Sequence, residues 1–498
     1  RLNTSYVKEI HLQKPQILTP EEFNNNKDTF IAGLVLTKGQ EVITFDDRGG
    51  EYIDKVAVIK GVAENKEEKN IDVNDIFYVR VERVNTAGTI LANLGVIALA
   101  AGVLLLIALA TKESCPFIYS YDGEKYVFDA EPLGGATTRG LQREEFSKLD
   151  YLKESDGKYK LLVRNEVEET QYLDELSLYV IDHNPEIEVV VDNEGNLHSI
   201  ANPVPVIKMI DENHNDLIKF ITEEDNIFWQ SPLPNDESVS KLPERHKLTL
   251  SFNKPADVKS AKLIVNAGTS LWGSNMIREM LSLYGDKVDE WYDKIDNGGI
   301  ELNQLMYFME REELYLLKIY VKEKAGWSEQ GLIKGGGPFI SEKRVYNLDL
   351  SNVEGDSLLI QLNPPFGFWT IDYMALEFND YIPSGYEEIK VASATDHLGE
   401  NIDELISFRD GNYYIMPEVG NYFYLNFDAP SYNSLLKRTI FLKSYGYYKI
   451  HLSKDQPIQT KLLFDIATFP GKIVNYSLEK FMEWRNEITL SKGGDLNE

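Results

Sequence analysis

Hydrophobic and polar positions alternate in short runs over most of the chain, and turn residues separate the runs. Before residue 85 these runs lie in FIAGLVLTKGQEVITFDDRGGEYIDKVAVIKGV and IDVNDIFYVRVERV, with breaks at residues 38–40 and 47–50 and at Gly61. Alternation with period two, bounded by glycine-rich turns, is typical of short antiparallel strands. We therefore predict four or five strands that form a small, strongly bent sheet or open barrel over residues 1–84.

The next segment differs because its apolar residues are continuous. Ile90 to Ala110 is a run of 21 residues without charge, in which Asn93 is the one polar side chain. A helix of this length is about 30 Å long, which matches the hydrocarbon thickness of a bilayer. The alternative is a helix buried in a large soluble core, but such helices are shorter and rarely lack every charge. The pattern favours a transmembrane-like helix over residues 85–112.

Small residues recur on one face of this predicted helix. They are Gly88, Ala92, Gly95, Ala98 and Gly102. In lipid, small side chains let helix backbones approach closely, so we expect this face to pack against an integral membrane partner. The alternative is that Gly and Ala are simply common in membrane helices. The charges that flank the segment are balanced and give no orientation.

Beyond residue 112 the alternating pattern returns. It predicts a hairpin around Asp122 and Gly123, two longer strands in YKLLVRNEVEETQYLDELSLYVIDH, and further strands at 247–252, 261–266, 315–322, 345–350, 357–362 and 369–378. Helical patterns in SNMIREMLSLYGDKVDEWYDKI and ELNQLMYFMEREEL interrupt the strands. We predict a β-rich domain over 113–250 and a jelly-roll-like β-sandwich with an inserted helical pair over 251–498. The predicted fold class is mainly β.

Composition and charge exclude some partners. The 498 residues include 80 acidic and 51 basic side chains, which gives a net charge of −29. This charge repels phosphate backbones, so nucleic acid is excluded as a partner. The single cysteine, Cys115, excludes an intramolecular disulfide and a cysteine-based metal cluster. The chain begins at Arg1, from which we expect a processed N terminus that follows a signal peptide or carries a lipid.

Several long stretches carry a family resemblance. They are SCPFIYSYDGEKYVFDAEPLGGATTRGLQREE, NEVEETQYLDELSLYVIDH, AKLIVNAGTSLWGSNMIREML, GGGPFI and GFWTIDYMALEF. Through them the chain resembles a widespread family of uncharacterised bacterial proteins, many of them exported or attached to membranes. The Asn, Lys, Tyr and Ile usage, with the predicted barrel and apolar segment, is also similar to outer-membrane lipoproteins of Bacteroidota. The resemblance implies the bacterial cell envelope, most of all the outer membrane, and no established enzymatic activity.

Motifs for catalysis or metal binding are weak. GTSLWG lacks the second glycine that a nucleophile elbow needs after Ser270, and the seven histidines have no short ligand spacing. NEVEETQYLDE concentrates carboxylates that could bind calcium, although a solvated acidic edge is the alternative that we favour. Paired carboxylates for glycoside hydrolysis cannot be identified without their separation. We therefore predict no catalytic residue, no cofactor and no metal.

Two further groups of residues have a structural and a functional interpretation. The glycine-rich stretches GGATTRG and KGGGPF follow no βα unit, so we interpret them as turns that bring the backbone close to another element. Aromatic residues could line a platform for sugars, although such side chains are more often core. These are Trp272, Trp291, Trp327, Trp369, Phe366, Phe368 and Tyr373.

Three functional hypotheses follow. We favour a non-enzymatic, membrane-anchored accessory or interaction subunit of a multiprotein envelope complex, such as an outer-membrane protein assembly, secretion or transport machine. The alternatives are a glycan-binding envelope lipoprotein and a carboxylate-based hydrolase that acts on envelope polymers. The expected partners are membrane lipid and other envelope proteins, one of which contacts the apolar helix, with a glycan as an alternative ligand.

Overall fold

The computed structural model describes the backbone of seven strands between residues 4 and 84, together with residues 116–493 apart from 226, 232–243 and 380–384. Side chains are described from residue 116 to residue 483 within these ranges. The chain divides into two compact units, Arg1–Leu106 and Ile107–Glu498. Strands predominate among the described residues, so the fold is mainly β.

The elements are numbered along the chain. The strands are Thr4–Ile10 (β1), Ala32–Thr37 (β2), Val42–Phe45 (β3), Gly50–Ile53 (β4), Val56–Ala63 (β5), Glu68–Asp72 (β6), Ile76–Val84 (β7), Phe117–Tyr121 (β8), Tyr126–Ala130 (β9), Arg143–Lys148 (β10), Lys158–Arg164 (β11), Glu169–His183 (β12), Glu188–Val191 (β13), Leu197–Ile200 (β14), Val204–Pro205 (β15), Lys208–Ile210 (β16), Trp229–Gln230 (β17), Leu248–Asn253 (β18), Ser260–Thr269 (β19), Leu316–Glu323 (β20), Gly326–Lys334 (β21), Glu342–Asp349 (β22), Ser357–Leu362 (β23), Trp369–Glu377 (β24), Glu387–Lys390 (β25), Ser393–Asp396 (β26), Tyr414–Met416 (β27), Tyr422–Asp428 (β28) and Lys437–Ile450 (β29). The α-helices are Leu271–Ser282 (α1), Val288–Asp296 (α2), Ile300–Glu312 (α3), Asp403–Ile406 (α4), Thr460–Thr468 (α5) and Lys472–Gly493 (α6). Single 3-10 turns lie at Arg139–Leu141, Ile218–Phe220 and Gly285–Lys287.

The first unit contains one antiparallel sheet of short strands. Its order is β1-β7-β2-β3-β5-β4, and β6 pairs with β5. The short strands that alternation predicts before residue 85 are therefore present, and the structure describes seven of them where we predicted four or five. Each strand pairs with a neighbour through antiparallel backbone hydrogen bonds, as hairpin-connected strands do.

The second unit contains four sheets, which we name after a central strand. The β29 sheet has the order β10-β29-β12-β25 with β27 beside β12, and the β11 sheet has the order β26-β28-β11-β8-β9. The β19 sheet has the order β14-β13-β22-β19-β24-β15 with β17 beside β24, and the β18 sheet has the order β16-β18-β23-β20-β21. Strands from the middle of the chain thus pair with strands near its end, most extensively where β12 pairs with β29 from Glu169 to His183.

Alternating burial produces sandwich-like sheets. In β11, Tyr159, Leu161 and Val163 are buried, whereas the residues between them are partly exposed. One face of the sheet is therefore covered by the core and the other faces outward, as in sheets that pack on each other. The β29 and β19 sheets share such a core. Its members are Phe146, Tyr179, Ile181, Val189, Val191 and Phe441.

The helices α1, α2 and α3 form the predicted insertion between β19 and β20. The hydroxyl of Ser270 caps α1 by accepting a hydrogen bond of 2.8 Å from the backbone N–H of Gly273. Gly298 and Gly299 have positive φ angles of 73° and 84°, which let the chain turn sharply between α2 and α3. The predicted helical pair is therefore confirmed, and the first of its two patterns is divided into α1 and α2.

The predicted fold class needs one correction. None of the described helices is long and apolar enough to cross a bilayer. The segment 85–112, to which we assigned a transmembrane-like helix, lies outside the described residues, as does its small-residue face of Gly88, Ala92, Gly95, Ala98 and Gly102. The prediction of such a helix as an element of the fold was therefore wrong, because it rested on the length and apolarity of one run. The described fold consists of several sheets with short helices between them.

Candidate functional site

The segments that carry the family resemblance meet in the interior of the second unit. The turn after β9 and the loop after β21 lie backbone against backbone, because a Cβ atom on Gly134 would lie 3.1 Å from backbone atoms of both Gly336 and Gly337. The carboxylate of Glu131 accepts a hydrogen bond of 3.1 Å from the backbone N–H of Phe339. The interpretation of both glycine-rich stretches as sites of close backbone approach is therefore confirmed.

A buried ion cluster lies beside these glycine loops. The carboxylate of Glu145 lies 3.2 Å from the Lys334 ammonium and 3.5 Å from the Arg143 guanidinium. It also accepts a hydrogen bond from the backbone N–H of Leu133. Burial would raise the pKa of Glu145, but the charges of Arg143, Lys334 and Arg344 lower it to about 2. Glu145 is therefore ionised, and it links β10 to β21 electrostatically.

A second ion pair extends this cluster into β22. The Arg344 guanidinium contacts the Glu342 carboxylate and donates a hydrogen bond of 2.6 Å to the backbone oxygen of Phe146. The Ser147 hydroxyl donates to the same carboxylate at 3.0 Å. Burial raises the pKa of Glu342, and Arg344 opposes that rise. Strands β10 and β22, which belong to different sheets, are thus joined by charge-assisted hydrogen bonds.

A cavity of about 110 Å³ opens beside the ion cluster. Polar side chains dominate its lining, including Asp129, Glu131, Ser147, Glu188, Glu224, Asn266, Glu342, Lys343 and Arg344. Burial raises the pKa of Asp129 to about 7, and its carboxylate accepts hydrogen bonds from two backbone N–H groups at 3.0 and 3.1 Å. Lys343 pairs with Glu188 at 2.7 Å and also with Glu224. These ion pairs connect the side chains that line the cavity to one another, as expected where sheets pack together.

The carboxylates of NEVEETQYLDE are separated by the fold. Glu166 accepts a hydrogen bond of 2.7 Å from the Tyr119 hydroxyl, and Glu175 pairs with Lys390 at 2.6 Å. Glu169 is buried. Within the part of the chain that the structure describes, no three His, Cys, Asp or Glu side chains come together as metal ligands. The calcium hypothesis for this segment therefore gains no support.

Two of the four tryptophans that we considered as a sugar platform are core residues, whereas Trp327 is exposed and Trp291 is partly exposed. Trp369 is completely buried, and its indole N–H donates a hydrogen bond of 2.9 Å to the backbone oxygen of Glu313. Trp272 is also buried and donates to the Ser477 hydroxyl at 2.8 Å. Phe368 is buried as well. The core interpretation is thus confirmed for these residues, and they offer no platform to a ligand.

Helix α3 presents an apolar surface that sequence reasoning missed. Seven of its 13 residues are apolar, yet Glu312 is its one buried residue. Tyr307 is 66% exposed, and Ile300 and Met306 are exposed as well. Phe464 in α5 and Phe469 directly after it are also exposed. The signal was present in ELNQLMYFMERE, because its apolar residues are distributed around the whole helix rather than along one stripe.

A polar joint fixes α3 relative to α5. The Arg311 guanidinium donates hydrogen bonds to the backbone oxygens of Ala467 at 2.9 Å and Ile466 at 3.3 Å. The same group donates to the Glu312 carboxylate at 2.7 Å, and Glu312 also accepts from the backbone N–H of Gly471 at 3.0 Å. The exposed apolar residues of the two helices therefore sit on elements that are bonded together. We call Ile300, Met306, Tyr307, Phe464 and Phe469 the α3–α5 surface.

Comparison with known proteins adds little. A scan against models of protein families finds no match, and a search of curated proteins finds none. Among solved structures, the chain is similar to one described as "Structure of allantoicase", with 7% identity, coverage of 56% of this chain and 98% of that chain, and a TM-score of 0.18. It is also similar to one described as "The Triple Jelly Roll Fold and Turret Assembly in an Archaeal Virus", with 11% identity, coverage of 68% and 91%, and a TM-score of 0.12. Such low TM-scores carry no argument about function.

Proposed function

We propose that the protein is a non-enzymatic interaction subunit of a multiprotein complex of the bacterial cell envelope. The supporting observation is that helix α3 carries seven apolar residues, of which three are exposed and four are only partly buried. A helix that is apolar on all sides is normally buried, because exposed apolar area costs roughly 25 cal/mol per Å². The α3–α5 surface is therefore a place where a partner gains free energy by covering the helix. The envelope location is part of the proposal and comes from the family resemblance.

The partner is a protein with an apolar groove. Helix α3 is roughly 20 Å long, which suits a groove that takes one helix face. Glu301 is exposed beside the apolar residues, and the carboxylate of Glu310 is 45% exposed and lies 3.6 Å from the Lys318 ammonium. A groove rimmed by Lys or Arg is complementary to these two carboxylates. An anionic lipid surface is not, since the chain as a whole carries a net charge of −29.

The test replaces the apolar residues of α3 without disturbing the core. In a triple variant, Ile300, Met306 and Tyr307 are each changed to Ser. Because all three are exposed, we expect the free energy of unfolding to change by less than about 0.5 kcal/mol per site. A photo-crosslinking amino acid at position 307 should give one defined adduct in cells, and the Ser substitutions at 300 and 306 should abolish it.

The matched control is Leu435, which is 81% exposed and lies in the loop between β28 and β29. Leu435→Ser should leave the adduct at position 307 unchanged, and a crosslinker at 435 should not give the same adduct. If position 307 forms no adduct in cells and the purified protein runs as a monomer, the proposal fails. Binding of the purified protein to vesicles of anionic phospholipid through α3 would also contradict it.

A further inference from the structure

A continuous row of aromatic rings crosses the outer face of the β11 sheet. The rings of Tyr121 and Tyr126 are 5.4 Å apart between centroids, and those of Tyr126 and Tyr424 are 5.7 Å apart. The row continues from Tyr424 to Tyr422 at 5.6 Å and from Tyr422 to His397 at 5.9 Å. Each ring therefore touches the next, and we call these five residues the tyrosine row.

Strand alternation places the row on the outward face. In β28, Phe423, Leu425 and Phe427 are completely buried, so the residues between them point away from the core. Tyr424 is 40% exposed, and its register partner on the same face of β11 is Leu162. Burial and the neighbouring tyrosines raise the pKa of Tyr126 to about 12, as expected where phenol rings crowd together.

We propose that the tyrosine row binds an extended, neutral oligosaccharide. The spacing between successive rings is close to the length of one pyranose residue, so consecutive sugars can each place an apolar C–H face on a ring. Aromatic rings joined in this way offer a large contact area that loses little side-chain entropy on binding. The site lies on a sheet, whose hydrogen-bonded strands hold the rings in position without a ligand.

Polar groups along the row can bond sugar hydroxyls. Lys160 lies with its ammonium 5.3 Å from the centre of the Tyr121 ring. At the other end, Nε2 of His397 contacts the Asn421 amide at 3.2 Å, and Nδ1 is buried beneath the row. Asn426 lies in the middle, beside Ser393 at 3.0 Å. The Lys160 ammonium and the partly exposed Asn426 amide are therefore the groups beside the rings that a sugar hydroxyl can reach.

The charges on this face of the sheet favour a neutral ligand. Every basic side chain of β11 on this face pairs with a carboxylate, since Lys158 lies 2.8 Å from Asp428 and Lys160 lies 3.4 Å from Asp156. The face therefore carries no excess positive charge, and polyanions such as single-stranded nucleic acid, which also stack on aromatic rings, are repelled by the acidic chain. A proline-rich peptide is the other ligand that aromatic surfaces bind, but it docks into a groove. The row instead lies on a sheet face where Tyr424 is exposed and the other four rings are partly exposed.

The experiment measures binding to the full chain by calorimetry and by ligand-observed NMR. The probes are cellohexaose, chitohexaose and maltohexaose, with decaproline as the peptide alternative. We expect at least one hexasaccharide to bind, and Tyr424→Ala to weaken that binding roughly 3- to 10-fold, because one stacked ring is lost. Tyr424→Phe keeps the ring and should bind within about twofold of the wild type.

The control separates this site from the α3–α5 surface. Tyr307→Ala removes a tyrosine of α3 that is more exposed than Tyr424 and should leave oligosaccharide binding unchanged. Thermal unfolding of each variant establishes that it is folded. Three results would overturn the inference: no hexasaccharide binds at millimolar concentration, only decaproline binds, or Tyr424→Ala binds as tightly as the wild type. None of these results bears on the adduct at position 307, so the two proposals fail independently.

Discussion

Glu169 should make the stability of the protein depend on pH, and Glu169→Gln should remove that dependence. The Glu169 side chain is 1% exposed, and burial raises its pKa from 4.5 to about 8. The Gln171 amide donates a hydrogen bond of 2.7 Å to one carboxyl oxygen of Glu169. The second carboxyl oxygen and the Gln171 carbonyl oxygen have no partner among the described residues. A protonated Glu169 leaves no charge in this buried place, whereas a carboxylate would leave one with a single hydrogen bond.

The sign and the size of the effect follow from the two pKa values. Below pH 4.5 Glu169 is protonated in both the folded and the unfolded chain, and its contribution to stability is fully present. As pH rises towards about 8, the unfolded chain has released this proton and the folded chain still holds it, so the folded state loses stability. Each pKa unit corresponds to about 1.4 kcal/mol, which gives a ceiling of about 5 kcal/mol over the whole window.

Urea unfolding between pH 5 and pH 9, followed by tryptophan fluorescence, measures this effect. Glu169→Gln keeps the shape of the side chain and the acceptor for the Gln171 amide, and it carries no ionisable group. We expect the variant to match the wild type near pH 5 and to be more stable by several kcal/mol above pH 8. Glu168→Gln is the control, because the neighbouring Glu168 carboxylate is 74% exposed. Parallel pH profiles for the wild type and Glu169→Gln would refute the reasoning.

Two further substitutions test the joint between the sheets. Gly337→Ala should lower the free energy of unfolding by about 1–3 kcal/mol in urea titrations, because the added Cβ atom would collide with the Glu131 carboxylate. Gly385→Ala is the control, since its Cβ atom would meet no other atom within 4 Å, and it should change the free energy of unfolding little. Arg344→Met should lower the free energy of unfolding by about 3–5 kcal/mol in the same titrations, because it leaves the buried Glu342 carboxylate without its cationic partner. A loss below about 1 kcal/mol would show that the ion pair is not buried in solution.

Local patterns predicted the elements of the second unit well. The strand predicted at 357–362 coincides with β23, and the hairpin predicted around Asp122 is the turn between β8 and β9. Both depend on alternation and turn residues within a few positions, which the sequence records directly. The helices of the insertion were predicted for the same reason, because their apolar residues recur with helical spacing.

Long-range pairing could not be predicted in this way. Strand β12 pairs with β29, which lies more than 250 residues later in the chain. No local sequence pattern distinguishes β29 from the other strands with which β12 could pair. The ion cluster also depends on contacts between segments that are far apart in the sequence. Glu145 and Lys334 become neighbours when β10 and β21 are brought together, and in the sequence each is one charged residue among many. The residues of the ion cluster could therefore not be identified before the strand order was known.

The two proposed surfaces share a signal that the sequence did contain. In β28, Tyr422 and Tyr424 occupy the outward phase of the alternation, together with the polar Asn426. In α3, apolar residues occupy positions all round the helix, including those that face solvent. A sequence selected only for folding has polar residues at positions that face solvent, because apolar side chains there are not buried and add no stability. Apolar rings in the polar phase lower solubility, and the proposed oligosaccharide and the proposed protein partner would each offset that cost by covering them.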